Sequence, residues 1–239
     1  MKITSKIIMS FAIAVAFSST LTAGVPVTRD TGSINYAINT ADSSDFHFAI
    51  HAEKGTRNVE TSAIGYDIDV ARYVGVFGYD ITRSLTLFVN LGAMNADRDI
   101  DADDDYSFTF GGGFMLNVFD SEQFDFLSTI SRYRIQADAE IFYADFTGFH
   151  WWQMDASVTF QLHNEDGGNN HSILPEQYAL FVGPCVSVIS SDAFDYDSDN
   201  VFGFMVGVSL MFTENTYLTG GFEYYGDSEM YYGTLGVNF

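Results

Sequence analysis

Apolar side chains recur along this chain at every second position and seldom gather in long runs. Residues 152 to 163 are the clearest stretch. Trp152, Met154, Ala156, Val158, Phe160 and Leu162 take one face, and Gln153, Asp155, Ser157, Thr159, Gln161 and His163 take the other. A period of two with a single apolar face is the pattern of a half-buried strand. The same alternation sets Phe108, Phe110, Phe114, Leu116 and Val118 against Ser107, Thr109, Gly111, Gly113, Met115 and Asn117. It sets Phe202, Phe204, Val206, Val208, Leu210 and Phe212 against Gly203, Gly207 and Ser209. Leu85 to Leu91 and Tyr178 to Val188 continue it, the latter interrupted by Pro184, which cannot donate to a ladder.

Turn signals between these stretches predict about ten strands: roughly 45 to 53, 63 to 81, 85 to 94, 106 to 119, 124 to 141, 150 to 163, 177 to 189, 200 to 212, 216 to 226 and 230 to 239. Eight or twelve would also satisfy the pattern. Short turns are expected at Thr82 to Ser84, Asp120 to Gln123 and Thr213 to Asn215. The second strand changes phase near Val70 to Arg72, where a β-bulge would reconcile its halves. Residues 24 to 44 read as an N-terminal arm or a further strand, and 45 to 239 as one domain.

The last nine residues place Tyr231, Gly233, Leu235, Val237 and Phe239 on one face. At the other end, Lys2 and Lys6 precede the apolar run Ile7 to Phe17 and a small-residue stretch to Ala23, the order of a secretory signal peptide over residues 1 to 23. That run is too short to span a bilayer as a helix. A strand running to a C-terminal aromatic resembles the closing strand of bacterial outer-membrane β-barrels, small members of the OmpA-transmembrane and OmpX type. The resemblance implies an antiparallel transmembrane barrel in the outer membrane, with periplasmic termini and an ending, Tyr231, Leu235, Val237 and Phe239, that the barrel-assembly machinery recognises. It implies outer-membrane lipid and lipopolysaccharide as surroundings.

Composition sharpens this. Hydrophobic residues make up 47% and aromatics 16%, too apolar for an acidic disordered chain. Such content without a membrane-length run is what a barrel gives, because only alternate residues meet lipid. The net charge of −22 becomes −24 once Lys2 and Lys6 leave, which disfavours nucleic acid as a partner. The only cysteine, Cys185, cannot form an intrachain disulfide.

Candidate chemistry is sparse. Arg132 and Arg134 share a face, and pointing both at lipid would cost roughly 2 to 4 kcal/mol each near the midplane, so they belong in the lumen. There they form either an anion-selecting constriction or a salt-bridge lattice with inward carboxylates such as Asp138, Glu140, Asp155 and either Asp67 or Asp69; the shortage of cations favours the lattice. The acidic loop 97 to 105, with Asp99, Asp101 and Asp103, is a weak calcium candidate or plain solvated charge, and its spacing is not that of an EF-hand. The loop 192 to 200 reads the same way. Asp45-Phe46-His47 and His171-Ser172 are the nearest pairs to hydrolase chemistry, yet no base, orienter and nucleophile assemble. No cofactor is implied. Trp151, Trp152, Tyr178 and Tyr231 read as interfacial girdle residues. The expected function is a non-enzymatic barrel, structural or a small pore. The alternative is a surface-interaction barrel whose acidic loops bind divalent cations, lipopolysaccharide or a host ligand, and a rim hydrolase ranks below both.

Overall fold

The computed structural model describes residues 46–61, 64–82, 84–98, 106–124, 130–165, 177–191, 196–197, 201–213 and 216–238. Ten long antiparallel strands form the wall: β1 (Phe46–Thr61), β2 (Ile64–Asp80), β3 (Leu85–Arg98), β4 (Ser107–Phe124), β5 (Ile130–Phe146), β6 (Phe149–Glu165), β7 (Gln177–Ser191), β9 (Phe202–Thr213), β10 (Thr216–Tyr225) and β11 (Ser228–Asn238). The two-residue β8 (Tyr196–Asp197) completes the set. Each wall strand pairs with its neighbour in sequence, and β1 pairs with β11 from His47↔Asn238 to Thr56↔Glu229, which closes the sheet. Closure leaves no free edge over that length, which is what a sheet surrounded by hydrocarbon requires. With ten wall strands, β1 begins and β11 ends at the same end of the barrel, here the lower end.

The wall is uneven at its upper end. β1 and β2 run for 16 and 17 residues, whereas β10 and β11 have 10 and 11. β1 therefore rises past its last partner on β11. Asn58 N donates there to Ser228 Oγ at 2.7 Å, and Glu60 and Thr61 pair with β8 from the β7–β9 connection. The upper hairpin turns at β5–β6 and β10–β11 contain Gly148 (φ 94°) and Gly226 (φ 66°), left-handed positions that favour glycine.

The pleat sorts side chains as period two requires. Phe48, Ile50, Phe77, Leu87, Val89, Leu91, Phe110, Ile141, Leu180, Val182, Phe204 and Leu235 stand exposed on the outer face. In water such a belt would be untenable, and in a bilayer it is the lipid-facing surface. Trp152, Tyr178 and Tyr231 lie on that outside with it. Trp151 does not: it is fully buried in the lumen, one step out of phase with Trp152, and donates Nε1–H to Gln153 Oε1 at 3.1 Å.

Several sequence expectations are corrected. β2 keeps one register with both neighbours, so the bulge near Val70 to Arg72 does not exist. Ile68, Val70, Val74 and Val76 face inward with Arg72, and Asp67 and Asp69 face outward into solvent. Asp120 to Gln123 is not a turn but the lower part of β4, and β5 runs from 130 to 146, not from 124 to 141. The cause is a bulge between Asn117 and Phe119, which turns Val118 and Phe119 both outward and shifts the alternation below them. β1 continues to Thr61, well past the expected 53. At Pro184 the strand continues, but the β6–β7 ladder skips from Ser157↔Cys185 to Phe160↔Val182 in unchanged register. Residues 1 to 23, the arm over 24 to 44, and Phe239 lie outside the described residues.

Candidate functional site

The lumen is the place where chemistry could concentrate, and its inner rows repeat an order. On β1 they pass from Ala49 through Glu53 to Val59, on β2 from Val76 through Arg72 to Val70, and on β3 from Phe88 through Asn90 to Met94. Each is apolar below, polar in the middle and apolar above. The lower apolar residues join Met115, Met211 and Tyr217 in one cluster. The upper ones join Phe142, Trp151, Ile189 and Met230 in another. A third cluster, Phe181, Cys185, Met205, Tyr225 and Tyr232, lines the side formed by β7 to β11.

Inner glycines make this filling possible. A Cβ on Gly207 would overlap the Phe181 ring, one on Gly221 the Tyr232 ring, and one on Gly236 the Tyr217 ring. Each ring lies on the bare backbone of an adjacent strand, so glycine is where the bulky neighbour goes rather than where the lumen is empty.

Between the upper and lower clusters sits a charge lattice centred on Arg72. Its Nη1 donates to Glu140 Oε1 at 2.7 Å, and its Nε lies 2.9 Å from Glu53 Oε1. Asn90 Nδ2 also donates to Glu140, and the guanidinium rests 3.9 Å from the centroid of the Phe142 ring. Glu53 Oε2 meets His51 Nε2 at 3.2 Å, and His51 Nδ1 meets Thr234 Oγ1 at 2.9 Å. A buried guanidinium is tolerable when paired carboxylates satisfy its fork, and this one is held by two. Above it, Arg57 stacks on the Tyr225 ring at 4.3 Å, with Asp155 and Glu223 in electrostatic reach.

The residues singled out from sequence are distributed differently from the lattice expected. Arg134, Glu140 and Asp155 are all buried on the inner face. Arg134, however, bonds Asp120 at 3.3 Å near the lower end and is no partner of Glu140 or Asp155. Asp155 accepts from Gln153 Nε2 at 2.9 and 2.8 Å, and Asp138 accepts from Ser157 at 3.0 Å. Arg132 lies on β5, and its side chain is outside the described residues, as are Asp99, Asp101 and Asp103. Tyr231 and Leu235 face outward, exposed, and Val237 faces outward half-buried. His47 Nε2 lies 2.9 Å from Asp80 Oδ1, both side chains buried. Arg57, Arg72 and Glu53 were not anticipated, although an arginine within an apolar strand is itself a signal that the strand's apolar row lines a packed lumen. Among the described residues no three His, Cys, Asp or Glu side chains converge to hold a metal.

No family model matches the chain, and no curated protein does. Solved structures to which it is similar include an outer membrane channel from Pseudomonas putida F1, at 11% identity over 84% of this chain and 97% of that one, with a TM-score of 0.40. The transport unit of the autotransporter AIDA-I from Escherichia coli is also 11% identical, over 84% and 92%, with a TM-score of 0.43. Ail, the attachment invasion locus protein of Yersinia pestis, is 7% identical over 82% and 98%, with a TM-score of 0.25. The closed antiparallel sheet, apolar outside and polar but packed within, is itself the architecture of an outer-membrane β-barrel.

Proposed function

We propose that the chain is a non-enzymatic barrel of the bacterial outer membrane, exported by residues 1 to 23, whose lumen is closed to ions. The observation that supports this reading is the Arg72 fork between Glu53 and Glu140, enclosed by apolar clusters above and below. An ion crossing the lumen must shed water against apolar walls and then displace a satisfied ion pair. Planar-bilayer recordings of the refolded protein should show no stable conductance. Replacing Met94 and Trp151 by Ala, together with Phe88 and Met211 by Ala, should open it, whereas either pair alone should not. Stable channels in the unmodified protein would overturn the reading.

A second reading, a surface-interaction barrel, draws on where acid lies. β3 and β7 both end at the upper end, where the outward Asp67 and Asp69 stand, and the sequence that follows each of the two strands is acidic. Adhesion of the protein to a surface, lost when the loop aspartates become asparagine, would favour it.

A further inference from the structure

The Arg72 lattice leaves part of the lumen's acid without a cation. Arg72 holds Glu53 and Glu140, but among the described residues Asp138, Asp155 and Glu223 are bonded only by neutral donors. Asp138 accepts from Ser157, Asp155 from Gln153, and Glu223 Oε2 from the Tyr225 hydroxyl at 2.7 Å. All three carboxylates are buried on the inner face, within electrostatic reach of one another. Arg57 reaches Asp155 and Glu223, yet no ion pair joins it to either, and its guanidinium lies over the Tyr225 ring. His51 reaches Glu223 but is bonded to Glu53 and Thr234. Buried charge without a paired opposite charge is strongly unfavourable, so this acid calls for a cation.

Two donors point into the same space and also lack a partner. Arg57 is 4% exposed and Tyr232 8%, and neither Arg57 Nε nor the Tyr232 hydroxyl has a hydrogen-bond partner. The Tyr232 hydroxyl rests against Gly221, one inner position below Glu223 on β10, and is in reach of Glu223 and Asp138. Buried donors are nearly always bonded, so an oxygen belongs between these two and the carboxylates.

A proton on a carboxylate would supply the charge and not the oxygen. A small cation that keeps its water supplies both, because the water accepts from the donors while the ion offsets the acid. A divalent ion such as calcium takes about six to eight oxygen ligands. No three of the described acidic, histidine or cysteine side chains converge to provide them, which favours an ion of single charge held through water.

We propose that the lumen holds a hydrated monovalent metal cation between Asp138, Asp155 and Glu223, with its water accepting from Arg57 Nε–H and the Tyr232 hydroxyl.

Rubidium serves as probe, and tetramethylammonium, bulky and without water in a tight shell, as its counterpart. The full barrel is refolded in either chloride at equal ionic strength and unfolded with urea. The midpoint should be higher in rubidium and should climb to a plateau as rubidium replaces tetramethylammonium. Asp138→Asn with Glu223→Gln should make the two salts equal, and Tyr232→Phe should move the plateau to higher rubidium. Stoichiometric rubidium should also survive gel filtration of the wild type and not of the double variant, which separates a held ion from ions screening exposed acid. That retention rests on the closed lumen proposed above, whereas the midpoint does not, so a conducting barrel would lose the first and keep the second. Equal wild-type midpoints in the two salts would overturn the proposal, and this comparison requires no variant to fold. A rubidium effect undiminished in the double variant would overturn it too, because acid outside the lumen would then account for it.

Discussion

Arg72 on β2 and Glu140 on β5 are bonded at 2.7 Å although β3 and β4 separate their strands along the wall. The contact therefore reaches over the lumen, with Asn90 of β3 bonded to the same carboxylate. Truncating the cation leaves Glu53 and Glu140 buried without their partner. Arg72→Met should cost roughly 3 kcal/mol, the usual loss when one member of a buried pair is removed. Arg72→Met with Glu140→Gln should recover part of it. Urea unfolding of the refolded barrel measures both, and a double variant no more stable than the single would mean that Glu140 is not the group left stranded.

Gly221 and Gly233 occupy the same hairpin but opposite faces of it. Gly221→Val should drive the Tyr232 ring off its seat and destabilise the barrel by about 1 to 3 kcal/mol, as overpacking does. Gly233→Val, with open space before it, should be neutral or stabilising. Thermal loss of the heat-modifiable gel band compares them, and equal effects would contradict the assignment of ring to glycine.

The fold was legible because alternation needs no tertiary information. β6 reads correctly from Trp152 to His163, since its inner row from Gln153 to His163 is polar and its outer row apolar. The same rule failed on β2, where Ile68, Val70, Val74 and Val76 are apolar yet line the lumen. Alternation identifies a face as apolar and does not say whether that face meets lipid or a packed interior. Assigning apolar to lipid produced a phase change that does not exist, and it hid Arg72 as a lattice centre. Trp151 departs from the girdle expected of it for a related reason: period two puts neighbours on opposite faces, so an aromatic beside the outward Trp152 points into the lumen. The partners of Arg134 depended on the bulge at Asn117 to Phe119, which no residue type announces.

Assembly should depend on the outward row of β11. Tyr231 and Leu235 face the lipid side, and Phe239 would extend that row beyond the described residues. Removing Phe239, or replacing it with Asp, should lower outer-membrane abundance more than Asp103→Asn in the acidic loop. The first alters the closing strand, and the second touches only the connection after β3. Equal abundance of the two variants would contradict an assembly role for the terminal aromatic.

Calcium should act at the upper end and not in the lumen. The lumen's carboxylates are engaged: Glu140 by Arg72 and Asn90, Asp155 by Gln153, and Asp138 by Ser157. β3 and β7 both end at the upper end of the barrel, and the acidic stretches that follow them in sequence would offer carboxylate oxygens to a hard divalent cation. Calcium at about millimolar concentration, the range of weak extracellular sites, should raise thermal stability or slow amide exchange of the connections. Replacing Asp99, Asp101 and Asp103 with asparagine should abolish the response while the barrel still folds, and Asp138→Asn should leave it intact. A calcium response that survives the loop substitutions but disappears with Asp138→Asn would move the site into the lumen. No response at low ionic strength would leave the loops as solvated charge alone.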